Sequence, residues 1–357
     1  MTSPSPNPVL VEALRGGTVE SQHRGALAVV DAQGSVLLAL GDIDRAVFPR
    51  SAIKLLQALP LVASGAAERF GLSDEELALA CASHGGEPMH AATAAAALAR
   101  AGQDHTALEC GAHWPYHDAS LKALARSGNE PTALHNNCSG KHAGFVCLGC
   151  HLASDAGAEA RRFLRGYVQP EHAAMREVTA AVQFATGFDL AHTARGTDGC
   201  SIPTYAIPLR YLALGFARVA TGDGLSTGHA AAAHRLRQAV AAAPQMVAGS
   251  GRFDSRVMAV LGERVCCKVG AEGVYCAALP ERGLGVAVKM DDGNTARAVE
   301  VVMAALIEAL LPLQGEAAEL LASLSEVQLK NWNGIEVGRL RASSALRHGL
   351  EPVIAAR

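Results

Sequence analysis

The chain has 357 residues, half of them hydrophobic but only 4% aromatic, and a formal net charge of −3. That length suffices for one large core or two lobes, and the scarcity of aromatics with abundant alanine favours close helix packing over platforms for stacking bases. The balanced charge, with no long Lys/Arg run and no apolar stretch of about 18 residues, argues against nucleic acid and membranes as partners.

The opening Met1-Thr2-Ser3-Pro4-Ser5-Pro6 lacks the charged-then-apolar pattern of a secretory signal, so a cytoplasmic protein is expected. Nine cysteines in such a chain read as thiols and not as a disulfide framework. From Gly25 to Gly41 two apolar runs flank Asp31-Ala32-Gln33-Gly34, which predicts a β-hairpin. Arg50-Ser51-Ala52-Ile53-Lys54 follows, a Ser-x-x-Lys where strand character gives way to helix. If Ser51 opens that helix, its hydroxyl and the Lys54 amine share a face. A serine hydroxyl needs an adjacent base to attack at neutral pH, and a desolvated lysine can serve. Alone the motif is weak, because an exposed lysine on a helix explains it equally.

Ser73-Asp74-Glu75-Glu76 is a capping box that predicts a helix over Asp74 to Cys81. Cys81-Ala82-Ser83-His84-Gly85-Gly86 then bends at its glycines, so Ser83 and His84 sit either at a functional corner or in a plain helix end with a satisfied histidine. Pro88 to Ala101 is the next helix. Asn136-Asn137-Cys138-Ser139-Gly140-Lys141-His142 is a polar knot at a helix start, with Ser139 as a candidate cap for a helix to about Leu152. Cys138 there would have a depressed thiol pKa, and Lys141 lies three residues on. Cys147-Leu148-Gly149-Cys150-His151 matches a haem-attachment pattern but continues an apolar helical run, which favours packed core.

Gly196-Thr197-Asp198-Gly199-Cys200-Ser201 is a loop holding an acid and a thiol, and His229 to Ala242 a further helix. Strand signals return over Arg264–Gly270, with Lys268 inside it, and over Gly273–Ala278 and Gly283–Met290. A long helix over Ala296–Leu311 and an edge strand over Gly334–Leu340 complete the reading. The order predicts an α/β (α+β) fold in which an antiparallel sheet is flanked by helices and carries an inserted helical lobe. The expected division is residues 8–50 plus 256–350 for the sheet lobe and 51–255 for the helical lobe. Loops positioned by such a scaffold carry function disproportionately, and the default site is the cleft between the lobes.

Six ordered blocks resemble the asparaginase II family, the rhizobial-type L-asparaginases. They are Arg50-Ser51-x-x-Lys54, Cys81-Ala82-Ser83-His84, Asn137-Cys138-Ser139-Gly140-Lys141-His142, Gly196-Thr197-Asp198-Gly199-Cys200, Met246-Val247-Ala248-Gly249 and Val288-Lys289-x-x-Asp292-Gly293-Asn294, with Val19-Glu20-Ser21-x-His23 ahead of them. The resemblance spans roughly residues 8 to 345. It implies a fold similar to serine β-lactamases and glutaminases, and hydrolysis of L-asparagine to L-aspartate and ammonia. It also implies two serine–lysine pairs, Ser51 with Lys54 and Ser83 with Lys268; the helix-start placement favours Ser51 as the attacking serine, with Ser83 as the alternative nucleophile or a proton relay. A zinc ion on Cys138, Lys141 and Cys200 is expected beside the substrate. Asp198, Arg50 and His142 would contact that substrate, and a homodimer is expected. Other serine amidohydrolases, or a zinc- or ligand-sensing protein on the same scaffold, are the alternatives. The Lys268-Val269-Gly270 triplet lacks the hydroxyl of the usual Lys-Thr-Gly of β-lactam enzymes.

Overall fold

A computed structural model describes residues 7–355 and divides into two compact units. Unit one comprises the chain through Ala52, Ile207–Thr221 and the chain from Cys267 onward; unit two comprises Ile53–Ala206 and Gly222–Cys266. Among the described residues no helix is long and apolar enough to cross a membrane.

Unit one is built on an eight-stranded antiparallel sheet. Its order runs Glu326–Lys330, Glu336–Ala342, Val9–Arg15, Thr18–Asp31, Leu284–Met290, Val274–Leu279, Cys266–Val269, with Val36–Leu40 also paired to Thr18–Asp31. The predicted hairpin is present as Thr18–Asp31 and Val36–Leu40, and it joins the C-terminal strands through a register that sets Leu284 opposite Asp31 and Met290 opposite Gly25. The run Ala26-Leu27-Ala28-Val29-Val30 and all of Val274–Leu279 are buried, so the sheet is covered on both faces at its centre. One cover is the helix Leu209–Thr221, which buries the stripe Leu209, Leu212, Ala213, Phe216, Ala217 and Ala220 together with the adjoining Leu214, Gly215 and Val219. It approaches so closely that a Cβ at Gly285 would collide with the Ala213 carbonyl and the Ala217 nitrogen.

The predicted edge strand over Gly334–Leu340 is corrected: the strand is Glu336–Ala342 and lies inside the sheet. Two strands outside the sequence reading flank it, Val9–Arg15 and Glu326–Lys330. Val9–Arg15 buries adjacent pairs, Leu10-Val11 and Ala13-Leu14, and so lacks the alternation by which a half-buried strand is recognised. The helix expected over Ala296–Leu311 opens with a π-helical turn, Thr295–Val299, and is α-helical over Glu300–Leu310.

Unit two is mostly helical. The capping box holds, with the Ser73 amide donating to Glu76 Oε2 at 2.7 Å and the Glu76 amide to Ser73 Oγ at 3.3 Å, and the helix runs Asp74–Ala80. Pro88–Arg100 is helical as the sequence predicts. At the centre lies Ser139–Asp155, buried at every position from Ser139 to Cys150. Cys147 and Cys150 belong to this packed core, and all nine cysteines are free thiols. A small hairpin of Arg195–Thr197 and Pro203–Tyr205 carries the Asp198–Ser201 loop.

Candidate active site

Lys54 is the first residue of the helix Lys54–Ala63 and follows the 3-10 turn Arg50–Ile53 that holds Ser51. It is completely buried. Its ammonium nitrogen donates to the Ala82 carbonyl, to Ser83 Oγ at 2.9 Å and to Cys138 Sγ at 3.1 Å. Ser83 sits where the chain leaves Asp74–Ala80, and its amide is tied to the Val247 carbonyl at 2.9 Å. The next amide, that of His84, donates to Asn137 O at 3.2 Å. Both backbone donors around Ser83 are therefore engaged, and neither is available to an oxyanion at that serine.

Cys138 immediately precedes the central helix. Asn136 fixes it there: its Oδ1 accepts from the Cys138 amide at 2.8 Å while its Nδ2 donates to the Cys110 carbonyl at 2.9 Å. One helical turn in, Lys141 Nζ donates to Cys200 Sγ at 3.0 Å. Cys200 in turn lies against both Asp198, at 3.9 Å, and Cys138. A hydrogen bond from Cys200, aided by the charges of Lys54 and Lys141, holds the Cys138 thiol well below its ordinary range against the opposing effect of burial. Cys200 is pushed up by donating that bond and by burial. Burial opposes a charge on Lys141, but the two sulfurs and Asp198 outweigh it and raise its pKa.

His142 points its Nδ1 at the Tyr167 hydroxyl, 2.6 Å away. That oxygen also accepts from the Glu109 amide at 2.9 Å; with Nδ1 as the acceptor of the phenol O–H, the imidazole proton is assigned to Nε2. His142 Nε2 is buried without a protein partner. Burial, then Lys141 and Lys54, keep this histidine neutral. His84 proves to be internally satisfied: Nδ1 accepts from the Gly86 amide at 3.1 Å and Nε2 donates to Ser139 Oγ at 2.9 Å. Tyr167 was outside the sequence reading, and Gly166-Tyr167-Val168 carries no motif that would have found it.

Unit two thus brings together Lys54, Ser83, Cys138, Lys141, His142, Asp198 and Cys200. Arg50, Ser51 and Lys268 belong to unit one. Arg50 has a left-handed φ of 52° at the head of its turn. Lys268 is buried and donates to the Val269 carbonyl at 2.6 Å. A Cβ at Gly270 would lie 2.7 Å from Pro49 O and 3.0 Å from the Ala52 amide, so the end of the Lys268 strand closes directly against the turn that carries Ser51. Within unit two the serine that Lys54 touches is Ser83.

Among the described residues no group of three or more His, Cys, Asp and Glu side chains converges as a metal site. The expected zinc donors include a lysine. Two sulfurs and the amine that already donates to one of them make a compact set whose soft donors fit zinc once Lys141 and both thiols have given up their protons.

No curated protein matches the chain. Among solved structures, a β-lactamase from Mycobacterium bovis is 17% identical over 78% of this chain and 90% of that one, with a TM-score of 0.35. Mglu in its tris and glutamate form is 17% identical over 82% of this chain and 61% of that one, with a TM-score of 0.34. Residues 11–342, nearly the whole chain, match the model of the L-asparaginase II family, and the chain belongs to that family of amidohydrolases.

Proposed function

We propose that the protein is an L-asparagine amidohydrolase that releases L-aspartate and ammonia through a lysine-activated serine. The observation that carries this reading is the buried contact of Lys54 Nζ with Ser83 Oγ at 2.9 Å, beside Cys138. In its neutral form Lys54 takes the Ser83 proton as Oγ bonds to the side-chain amide carbon of asparagine. The carbon–nitrogen bond then breaks, and Lys54 returns the proton to the departing nitrogen, which leaves as ammonia. Water attacks the acyl-enzyme with its proton taken by Lys54. Ser83 regains a proton, and L-aspartate leaves.

Ser51 and Lys268 form the second serine–lysine set in this reading, with Ser51 as the alternative attacking serine. Asp198 meets the substrate ammonium, Arg50 its carboxylate, and the Nε2–H of His142 donates to an acceptor oxygen. Cys138, Lys141 and Cys200 would hold zinc, which when bound positions and polarises the substrate. The enzyme is proposed to act in the cytoplasm as a homodimer.

The test is ammonia release from L-asparagine and L-glutamine supplied separately, with zinc content measured on the same preparations. Wild type is expected to turn over asparagine and Ser83→Ala to lose on the order of a thousandfold or more in kcat/KM. Full activity in Ser83→Ala with loss in Ser51→Ala would move the attacking role to Ser51. Silence with both amides in zinc-replete enzyme would sink the assignment, and glutamine as the better substrate would change it. Cys138→Ala is expected to lose the metal, and unchanged zinc content would remove the site.

A further inference from the structure

The sheet of unit one has two different ends. Cys266–Val269 is buried throughout, but Glu326–Lys330 pairs only with Glu336–Ala342 and alternates exposed and half-buried residues along its length. The Asn331 amide turns inward to the Ile335 carbonyl at 3.0 Å. Strand alternation then turns the backbones of Leu329 and Val327 inward, and those of Lys330, Gln328 and Glu326 outward. The register irregularity nearby skips a residue of the neighbouring strand, between Gly338 opposite Leu329 and Glu336 opposite Lys330, and leaves this alternation intact.

Outer strands of this kind are usually protected from pairing by proline, a bulge or like charge. Glu326–Lys330 contains no proline, the register irregularity beside it takes its extra residue from the neighbouring strand, and its two charges are of opposite sign. Glu326-Val327-Gln328-Leu329-Lys330 is complementary to its own reverse. About a two-fold axis through Gln328, Glu326 faces the partner's Lys330, Val327 faces the partner's Leu329, and the two glutamines face each other with their outward N–H and C=O groups. Opposite charges and apolar pairs directly across an antiparallel ladder each contribute roughly 0.2–1 kcal/mol. Beyond the strand, Trp332 is fully exposed at 106% and Ile335 at 59%.

We propose that Glu326–Lys330 is a self-association edge on which a second copy of this chain pairs antiparallel about Gln328, joining the two sheets. The proposal supplies a surface for the homodimer of the preceding section and is independent of the reaction assigned there.

Sedimentation velocity of the full chain between about 1 and 100 μM reads the outcome as mass, whether or not the enzyme turns over asparagine. Glu326→Lys and Lys330→Glu each place two like-charged pairs in the interface, and each is expected to raise the dissociation constant at least about fivefold. The double variant restores self-complementarity and is expected to recover wild-type association, and an equimolar mixture of the two single variants to form heterodimers. Gln328→Pro removes an outward N–H without touching the ladder to Glu336–Ala342, so a folded monomer is expected, with folding checked by circular dichroism. A wild-type monomer at 100 μM overturns the proposal. So does a dimer whose dissociation constant stays within twofold in these variants, or single variants that weaken association without rescue on mixing.

Discussion

The phenol of Tyr167 assigns the proton of His142 to Nε2, because Nδ1 is the acceptor for its O–H while its oxygen accepts from the Glu109 amide. Removing that hydroxyl leaves a half-buried amide and a buried imidazole nitrogen without their partner. Tyr167→Phe is therefore expected to lower unfolding stability by about 1–3 kcal/mol in urea titrations, and a change below a few tenths would show that the bonds contribute nothing. Of the residues in the site, Lys54, Ser83, Cys138, Lys141, Asp198 and Cys200 were legible because each stands in a compact block of chemistry-bearing letters. Tyr167 was not, because its role depends on two partners, 25 and 58 residues away in sequence. The pairing of Lys54 with Ser83 was also beyond reach, since spacing along a helix predicts only the neighbour within the turn.

The element that places these groups is the helix Ser139–Asp155. Its start was legible from the polar knot at Asn136–His142, but its burial at every position from Ser139 to Cys150 was not, because a stretch covered on all sides has no amphipathic stripe to read. Gly140 is what allows the close crossing: a Cβ there would collide with the Leu79 side chain and carbonyl. Leu79 lies in the last turn of the helix that delivers Ser83, and Gly140 lies between Cys138 and Lys141. Gly140→Ala is expected to cost about 1–3 kcal/mol by overpacking. It should also reduce ammonia release more than a surface Gly→Ala such as Gly128→Ala does. Wild-type stability in a urea titration of Gly140→Ala would refute the close approach.

Across the molecule, acid sensitivity follows from histidines that the core holds neutral. Burial first, then His90 and Lys54, set His84 well below its ordinary range. Burial likewise lowers His90, stacked on His84 at 4.7 Å, and His142. In the unfolded chain these rings protonate near pH 6.5. Below that pH the unfolded state binds protons that the folded state does not, so stability is lost as the pH falls. Urea unfolding free energies are expected to drop between pH 7 and 5 with a slope of up to about 1.4 kcal/mol per pH unit for each such histidine. His90→Gln should flatten the slope, and a pH-independent free energy over that range would contradict the buried-neutral assignment.

The sequence by itself determined the antiparallel sheet of unit one, the helical character of unit two and the family, because alternation, capping residues and motif blocks are local properties of the chain. Tertiary structure alone decided that Leu209–Thr221 packs with the sheet, that Glu336–Ala342 lies inside it, and that Glu326–Lys330 forms its end. It alone brought Lys54 to Ser83 and Lys141 to Cys200. Those pairings join segments far apart in the chain, and the burial and close approach that select them are properties of the packed core and not of any stretch of sequence.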